Sequence, residues 1–461
     1  MTIPLVRPAA LLVAGALAVA ACSSGADDGD GAGEPAPPSA TSTTPWSADM
    51  TDTELATEAY VAGYPLVVTT RTMQRIGGLI GVNRLFWQNA LAGPESRVIV
   101  APNRDTLYSV AVLDLRSEPV VLTLPAVTDR YYTYQLLDAW TDSFAYVGTR
   151  ATGGRAGSWV IAPPGWDGDV PAGAEVIEAP TPQVFLLGRF LVDDEADIDN
   201  VAAIRGETTL LPLSVLAGTP APPAPPPLGE PAGTAQDIPA DLMFFAELDG
   251  ALAVNPPVTP AQRDLFGRAG DLDTASLADG AAAGAERITA TVDRLGGDLV
   301  NGWSVNLDIG TYGDDTLLRA FVARIGWGAN VPAEAVYPVA RVDADGAPLT
   351  GEHAYRLRFP AGGLPPVDAF WSLSVYGPDM FFVEQPSGRY AIGDRTPGLV
   401  FGDDGSLDLV LSATEPADPA DRANWLPVPP GPFVLMLRLY LPTDEVLDGD
   451  YDYPPVERVA G

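Results

Sequence analysis

A chain of 461 residues with 47% hydrophobic and 19% charged content holds enough apolar material for two or three packed domains. Its 60 acidic residues against 26 basic ones give a formal charge of −34, which argues against a nucleic-acid partner or attraction to an anionic lipid surface. Every basic residue is arginine, and the chain has one histidine (His353) and one cysteine (Cys22), which excludes Schiff-base chemistry, a phosphate-loop lysine and a multi-histidine metal site.

The chain opens with "MTIPLVRPAALLVAGALAVAACSSG". Arg7 precedes an apolar run from Ala9 to Ala21 that is too short to span a bilayer and fits a signal-peptide core. Val19-Ala20-Ala21-Cys22 resembles a bacterial lipobox. That resemblance implies a signal peptide over 1–21, cleavage before Cys22 and lipidation of Cys22. The protein is then exported and anchored on the outer side of the cytoplasmic membrane, in the cell envelope. The plainer alternative is a secretory peptide with a chance cysteine. Residues 22–48, rich in Gly, Pro, Ser, Thr and acid, read as a disordered tether.

From Asp49 to Met73 an Asp/Thr cap and apolar residues at Leu55, Ala59, Ala62 and Leu66 predict a helix, which Gly63-Tyr64-Pro65 should bend or break. After Val98, short β-branched and aromatic runs at about ten-residue spacing predict antiparallel strands, and "DDEADIDNVAAIRGETTL" a helix with an acidic start. Residues 49–217 form an N-terminal β-rich domain on this reading. The Pro-rich stretch Gly218–Gly233 marks a linker or semi-rigid strap over 218–237. A helical section follows over 238–335, then a C-terminal β-sandwich over 336–461. In its strand "FVLMLRLYL", Arg438 is a cation among apolar residues. The fold class is mainly β with α, an α+β multidomain chain. Two antiparallel β-sandwich or jelly-roll-like domains flank the helical section.

At "APNRDTLYSVAVLDL", "AFWSLSVYGPDMFFVEQPSGRYAIGDR" and "ANWLPVPPGPFVLMLRLYLP" the chain resembles two bacterial families, domain-of-unknown-function 1254 in its N-terminal half and 1214 in its C-terminal part. Asn103, Asp105 to Ser109, Phe370-Trp371-Ser372, Arg389-Tyr390, Asp404-Gly405-Ser406 and Asn424 to Pro427 carry the resemblance most specifically. "RIGWGANVPAEAVYP" fits the lead-in to the second domain, and Arg104 is a small departure within the first motif. The resemblance implies β domains around a helical section and no agreed activity.

Asn103, Asp105 and Tyr108 follow Pro102 and precede an alternating strand. One reading is an Asx turn, with Asn and Asp side chains closing on backbone amides. The other places them at the lip of a pocket, with Thr106 and Tyr108 on one strand face. In "DRYYTYQLLDAWTDSF", alternation groups Tyr132, Tyr134, Asp138 and Trp140, either as sandwich core or as an aromatic face for a sugar or ring substrate. Trp371 belongs to an ordinary sheet face or to that binding surface. Arg389-Tyr390 and Asp394-Arg395 form an ion-pair network or, with Arg438, an anion clamp. His353 lies in a polar turn, and no Gly-x-Ser-x-Gly turn accompanies it. "VDADG" and "GDDGS" resemble fragments of calcium loops and read as hairpin turns.

Two function classes remain. The first is binding of a small or carbohydrate-like ligand, or of a partner, in an aromatic and polar interdomain cleft. Asn103, Tyr132, Tyr134, Trp140, Trp371, Arg389 and Tyr390 are its ligand-binding candidates. The second is a metal-independent hydrolase or lyase with Asp105, Tyr108 and Asp138 as acid–base candidates. The sequence offers no nucleophile turn, metal set or cofactor fingerprint, so the first is favoured, with no cofactor expected and no metal ligands assigned; a calcium site built of oxygens stays open. Edge pairing of β domains is compatible with a homo-oligomer.

Overall fold

The computed structural model describes residues 46–97, 101–234, 237–294 and 300–459. Cys22, the signal segment and residues 23–45 of the tether lie outside them. At Trp46 the chain is already docked: the indole packs into a helical core and donates to Glu58 Oε2 at 3.3 Å.

Runs of β-branched and aromatic residues fold into two sandwiches. The N-terminal strands are β1 Phe86–Trp87, β2 Thr106–Asp114, β3 Val120–Leu124, β4 Tyr132–Asp138, β5 Ser143–Gly148, β6 Gly157–Ala162, β7 Ala174–Glu178, β8 Gln183–Leu191 and β9 Thr209–Pro212. One sheet has the order β1-β2-β8-β4-β5 and the other β7-β6-β3-β9. Their facing side chains, among them Leu107, Leu122, Tyr134, Trp159, Leu186 and Phe190, close one core. The C-terminal strands are β10 Trp303–Ser304, β11 Ala335–Val336, β12 Val339–Ala340, β13 Tyr355–Phe359, β14 Val367–Tyr376, β15 Ala391–Gly393, β16 Leu407–Ser412, β17 Trp425–Pro427, β18 Val434–Pro442 and β19 Val456–Arg458. The order β10-β12-β18-β14-β15, with β11 also on β18, faces β17-β16-β13-β19 across a core that includes Trp371, Leu437, Leu357 and Leu409. Pairing is antiparallel except at β6–β7 and β16–β17.

The helices are α1 Asp52–Ile80, α2 Thr149–Thr152, α3 Ile198–Glu207, α4 Leu213–Ala217, α5 Leu242–Val254, α6 Pro260–Ala269, α7 Thr274–Arg294, α8 Thr316–Ile325, α9 Pro419–Ala423 and α10 Asp444–Leu447. The fold is thus mixed α+β, with two sandwiches and a helical layer. A capping box between Thr51 and Glu54 starts α1. Against expectation, α1 runs unbroken through Pro65. Tyr64, Leu66, Val67 and Val68 are all buried around the proline, and Gly63 lets Leu248 of α5 approach the backbone. Packing on α5, α6, α7 and α8 thereby outweighs the bond lost at Pro65. Farther along, Met73 and Ile76 lie on the outer face of β2 and β8, against Tyr108, Val110, Phe185 and Leu187. The acidic segment after β8 folds as expected, with Asp194 accepting from the amides of Ala196 and Asp197 ahead of α3.

Side chains tie the Pro-rich stretch down as a strap. Ser117 Oγ donates to Pro223 O at 2.7 Å, Arg116 Nη2 to Pro226 O at 2.6 Å and Gln74 Nε2 to Leu228 O at 2.8 Å. The two sandwiches meet through the outer faces of β14 and β18, where Tyr131 and Leu191 of the first pack with Phe370 and Tyr440 of the second.

Candidate functional site

The loop from Ala101 to Asp105 is one of the links between the sandwiches. Asn103 Oδ1 accepts from the Asp105 amide at 2.5 Å, which is the Asx turn expected from the sequence. The same residues also reach across the domain boundary. Asn103 Nδ2 donates to Tyr440 Oη at 2.8 Å, and Tyr376 Oη donates to Pro102 O at 2.8 Å. Asp105 Oδ2 accepts from Ser372 Oγ at 2.6 Å, and its Oδ1 from Arg395 Nη2 at 2.8 Å. The carboxylate is therefore fully engaged by the second sandwich. The Arg395 guanidinium also stacks over the Phe370 ring at 4.5 Å and donates to Val192 O at 2.8 Å.

Asp105, Ser372 and Arg395 form the floor of a cleft of about 550 Å³ between the sandwiches. Arg104, Asp193, Asp194 and Glu195 line it on the N-terminal side, and Arg389, Tyr390 and Thr396 on the other. Arg389 Nη1 is fixed by the carbonyls of Ala423 and Trp425, at 3.2 and 2.8 Å. Arg104 lies over the Tyr390 ring at 5.5 Å and donates to Glu195 Oε1 at 3.3 Å. The lining alternates carboxylates and guanidiniums around one phenol, an array of paired donors and acceptors with no net excess of cation. Ser372 gives its proton to a carboxylate already neutralised by Arg395, so the triplet holds no base free to activate the serine.

The structure brings Asp105, Arg389 and Tyr390 together at this cleft and places Asn103 just behind it. The other candidates lie elsewhere. Tyr132 and Tyr134 are in the N-terminal sandwich core, stacked on or edge-on to Phe190, and Trp371 is in the C-terminal core beside Phe359. Trp140 leaves the face of its neighbours after a register shift between Leu136 and Leu137 and packs against Phe266 of α6. The aromatic face read from alternation is thus closed core, because β4 is buried on both sides. Tyr108 is likewise not on an open polar face, since β2 has no exposed residue.

Asp138 sits at the opposite end of the five-stranded sheet from Asp105. It pairs in register with Val184, whereas Thr106, next to Asp105, pairs with Leu191. Its Oδ1 accepts from the amides of Trp140 and Asp142, at 2.8 and 3.0 Å, so it caps a turn. Burial and the nearby Asp142 push its pKa up to about 7. His353 is at the surface beside Arg458. Asp343 and Asp404 close turns on the amides of Asp345 and Ser406.

Sequence reasoning missed Ser372 and Arg395 as partners of Asp105, which only tertiary contact reveals. It also missed Arg189, whose signal was present: a cation within "QVFLLGRFLV", the same pattern that singled out Arg438. Arg189 and Arg438 are both 2% exposed. Tyr108 lies against Arg189 and Tyr376 against Arg438, while Tyr131 and Tyr337 meet the Tyr440 ring edge-on at 5.2 and 6.2 Å. Tyr131 Oη donates to Glu334 Oε1 at 2.8 Å, and Arg150 Nε donates to Glu334 Oε2 at 2.6 Å. Burial raises the pKa of Tyr131, Tyr337 and Tyr440, so these phenols keep their protons.

Residues 82–212 match the family model described as "Protein of unknown function (DUF1254)", and residues 334–444 the one described as "Protein of unknown function (DUF1214)". The crystal structure of the VPA0106 protein from Vibrio parahaemolyticus is similar over 89% of this chain and 100% of its own, with 26% identity and a TM-score of 0.64. That of an uncharacterised protein from Burkholderia cenocepacia covers 88% of this chain and 94% of its own, at 14% identity and a TM-score of 0.45. No curated protein matches the chain. The chain belongs with the proteins that carry a DUF1254 domain followed by a DUF1214 domain.

Proposed function

We propose that the protein is an exported, lipid-anchored cell-envelope protein that holds a small, carbohydrate-like ligand in the cleft between its two sandwiches. One observation carries the ligand reading: the cleft floor of Asp105, Ser372 and Arg395 is built from both domains and opens into about 550 Å³ of polar space. That volume lies within the usual range for small-molecule sites, about 300–1,000 Å³. Paired carboxylates and guanidiniums beside a phenol suit a neutral, many-hydroxyl ligand, which can donate to the former and accept from the latter. Binding is favoured over hydrolysis because Ser372 has no free base. The anchoring reading rests on the lipobox-like Val19-Ala20-Ala21-Cys22.

The test is thermal-shift screening of the full chain against neutral mono- and oligosaccharides. A sugar should raise the midpoint of the wild type and fail to do so in Arg104→Ala, whose side chain lines the cleft. No shift with any sugar, or an equal shift in the variant, removes the ligand reading. Release of any product from the bound sugar would restore the hydrolase reading. For the anchor, Cys22→Ser should move the protein from the membrane fraction to the soluble one.

A further inference from the structure

A buried guanidinium is costly unless a counter-charge and full hydrogen bonding offset its lost hydration. Other buried arginines of this fold obey that rule. Arg71 is gripped by Glu247 through Nε and Nη2, each at 2.7 Å, and Arg319 meets Asp142 at 2.6 Å. Arg189 and Arg438 do not. Among the described residues no carboxylate lies within 4.0 Å of either. The nearby acids are already taken, Asp105 by Arg395 and Glu334 by Arg150.

The hydrogen bonding of the two is also incomplete. Arg189 Nη1 donates to Gln135 Oε1 at 2.8 Å and Asn330 Oδ1 at 3.1 Å, and its Nη2 to Gly328 O at 3.1 Å. Arg438 Nη1 donates to Ser374 Oγ at 2.8 Å, and its Nη2 to Ala101 O at 3.0 Å and Tyr376 Oη at 2.6 Å. Three of the five N–H groups on each guanidinium are thereby engaged, and the other two on each have no acceptor among the described residues. Tyr108 lies against Arg189, with the guanidinium 5.7 Å from its ring centroid. Its residue is 3% exposed, and its hydroxyl has no hydrogen-bond partner among the described residues.

These groups belong to one cluster. Arg189 projects from β8 at the middle of one sheet, and Arg438 from β18 at the middle of the other. Arg189 shares Asn330 with Tyr337, Tyr337 meets Tyr440 edge-on at 6.2 Å, and Asn103 ties Tyr440 to the loop whose Ala101 carbonyl accepts from Arg438. Tyr337 Oη accepts from Asn330 at 2.9 Å, and Tyr440 Oη from Asn103 at 2.8 Å, so each phenol still has its own proton to give. Among the described residues, the polar groups left open in this cluster are donors, and they surround two guanidiniums with no carboxylate in contact.

We propose that the junction between Arg189, Arg438 and Tyr108 is a buried binding site for a small organic carboxylate, separate from the outer cleft. A carboxylate supplies what the cluster lacks: one negative charge, and two oxygens that accept from planar guanidinium forks and a phenol. The site takes its residues from both sandwiches, so occupancy also fixes the domains against each other. It does not depend on the cleft binding a sugar.

The experiment is calorimetric titration of the full chain in detergent with acetate and with benzoate, at constant ionic strength in sodium chloride. One equivalent of one of these anions should bind the wild type. Tyr108→Phe, which keeps the ring packing, should weaken that binding about tenfold, and Arg189→Lys, which loses the fork, by more than that. Should Arg189→Lys fail to fold, Tyr108→Phe decides alone. Absence of binding by both carboxylates overturns the proposal. So does wild-type affinity in Tyr108→Phe, which would place the anion at the exposed arginines of the cleft instead.

Discussion

At the scale of single residues, the opening motif shows how a local turn and a long-range contact share the same atoms. The Asx turn of Asn103 was legible because its mechanism is local, two residues along the chain. That Asp105 would be seized by Arg395 was not, because 290 residues separate the pair. Asp105→Ala leaves Arg395 with no carboxylate there except the more distant Asp394 at 3.7 Å. With Arg395 20% exposed at its side chain, the expected cost is about 3 kcal/mol, the lower part of the range for breaking a buried pair. Urea unfolding measures it, and Asp105→Ala/Arg395→Met should recover part of the loss; a cost under about 0.5 kcal/mol would mean the pair behaves as an exposed one. Asp138 gives a prediction of opposite character. Its raised pKa means that the folded protein keeps a proton the unfolded chain releases near an ordinary value of about 3.9. Stability from this group is full below about pH 4 and is lost as the pH climbs to about 7. Asp138→Asn retains an acceptor for the amides of Trp140 and Asp142 and carries no charge. It is expected to flatten the decline and to be more stable than wild type above pH 7. Thermal midpoints from pH 4 to 8 test this, and parallel curves for the two proteins would contradict it.

At the scale of elements, periodicity and caps located the strands and helices well, because both signals are local. The course of α1 through Pro65 was not legible, because a buried helix can be held by its neighbours against its own breaker. The contact that holds it is close. A Cβ on Gly280 of α7 would lie 2.3 Å from Ala56 Cβ and 2.8 Å from the Ala56 carbonyl carbon, and one on Gly284 would lie 2.6 Å from Tyr60 Cδ1. Backbone of α1 cannot swing aside as a side-chain tip can, so Gly280→Ala must push α7 away. The expected cost is about 2 kcal/mol, overpacking exceeding the gain in helix propensity. Gly267 of α6 has no heavy atom within 4 Å of its would-be Cβ. Gly267→Ala should therefore stabilise by about 0.5–1 kcal/mol. Chemical denaturation of the two variants side by side should give shifts of opposite sign. Equal shifts would mean the α1–α7 crossing is looser than drawn.

At the scale of the whole molecule, composition marked the Pro-rich stretch as a boundary in the chain, yet the packing crosses it. Helix α1 lies before the strap in sequence, and its buried face is covered by Phe244, Leu248, Leu265, Ala281, Ile288 and Ala320, which all come after it. No local signal tells a helix which later segment will cover it, so this exchange was invisible in the sequence. The consequence concerns autonomy. A fragment of residues 46–217 would keep its sandwich and expose the apolar face of α1. A fragment of residues 237–461 would keep its own sandwich and lose the helix at the centre of the helical layer. Neither should be a soluble, cooperatively folding unit, since large apolar faces without partners drive association. Expressed apart, each is expected to aggregate or to bind a hydrophobic dye without a sharp thermal transition. Refolded together, they should regain one transition, because the helices that follow the strap can again cover the apolar face of α1. A sharp, independent transition for residues 46–217 would instead mean that the N-terminal sandwich and α1 are stable without the later helices that cover α1.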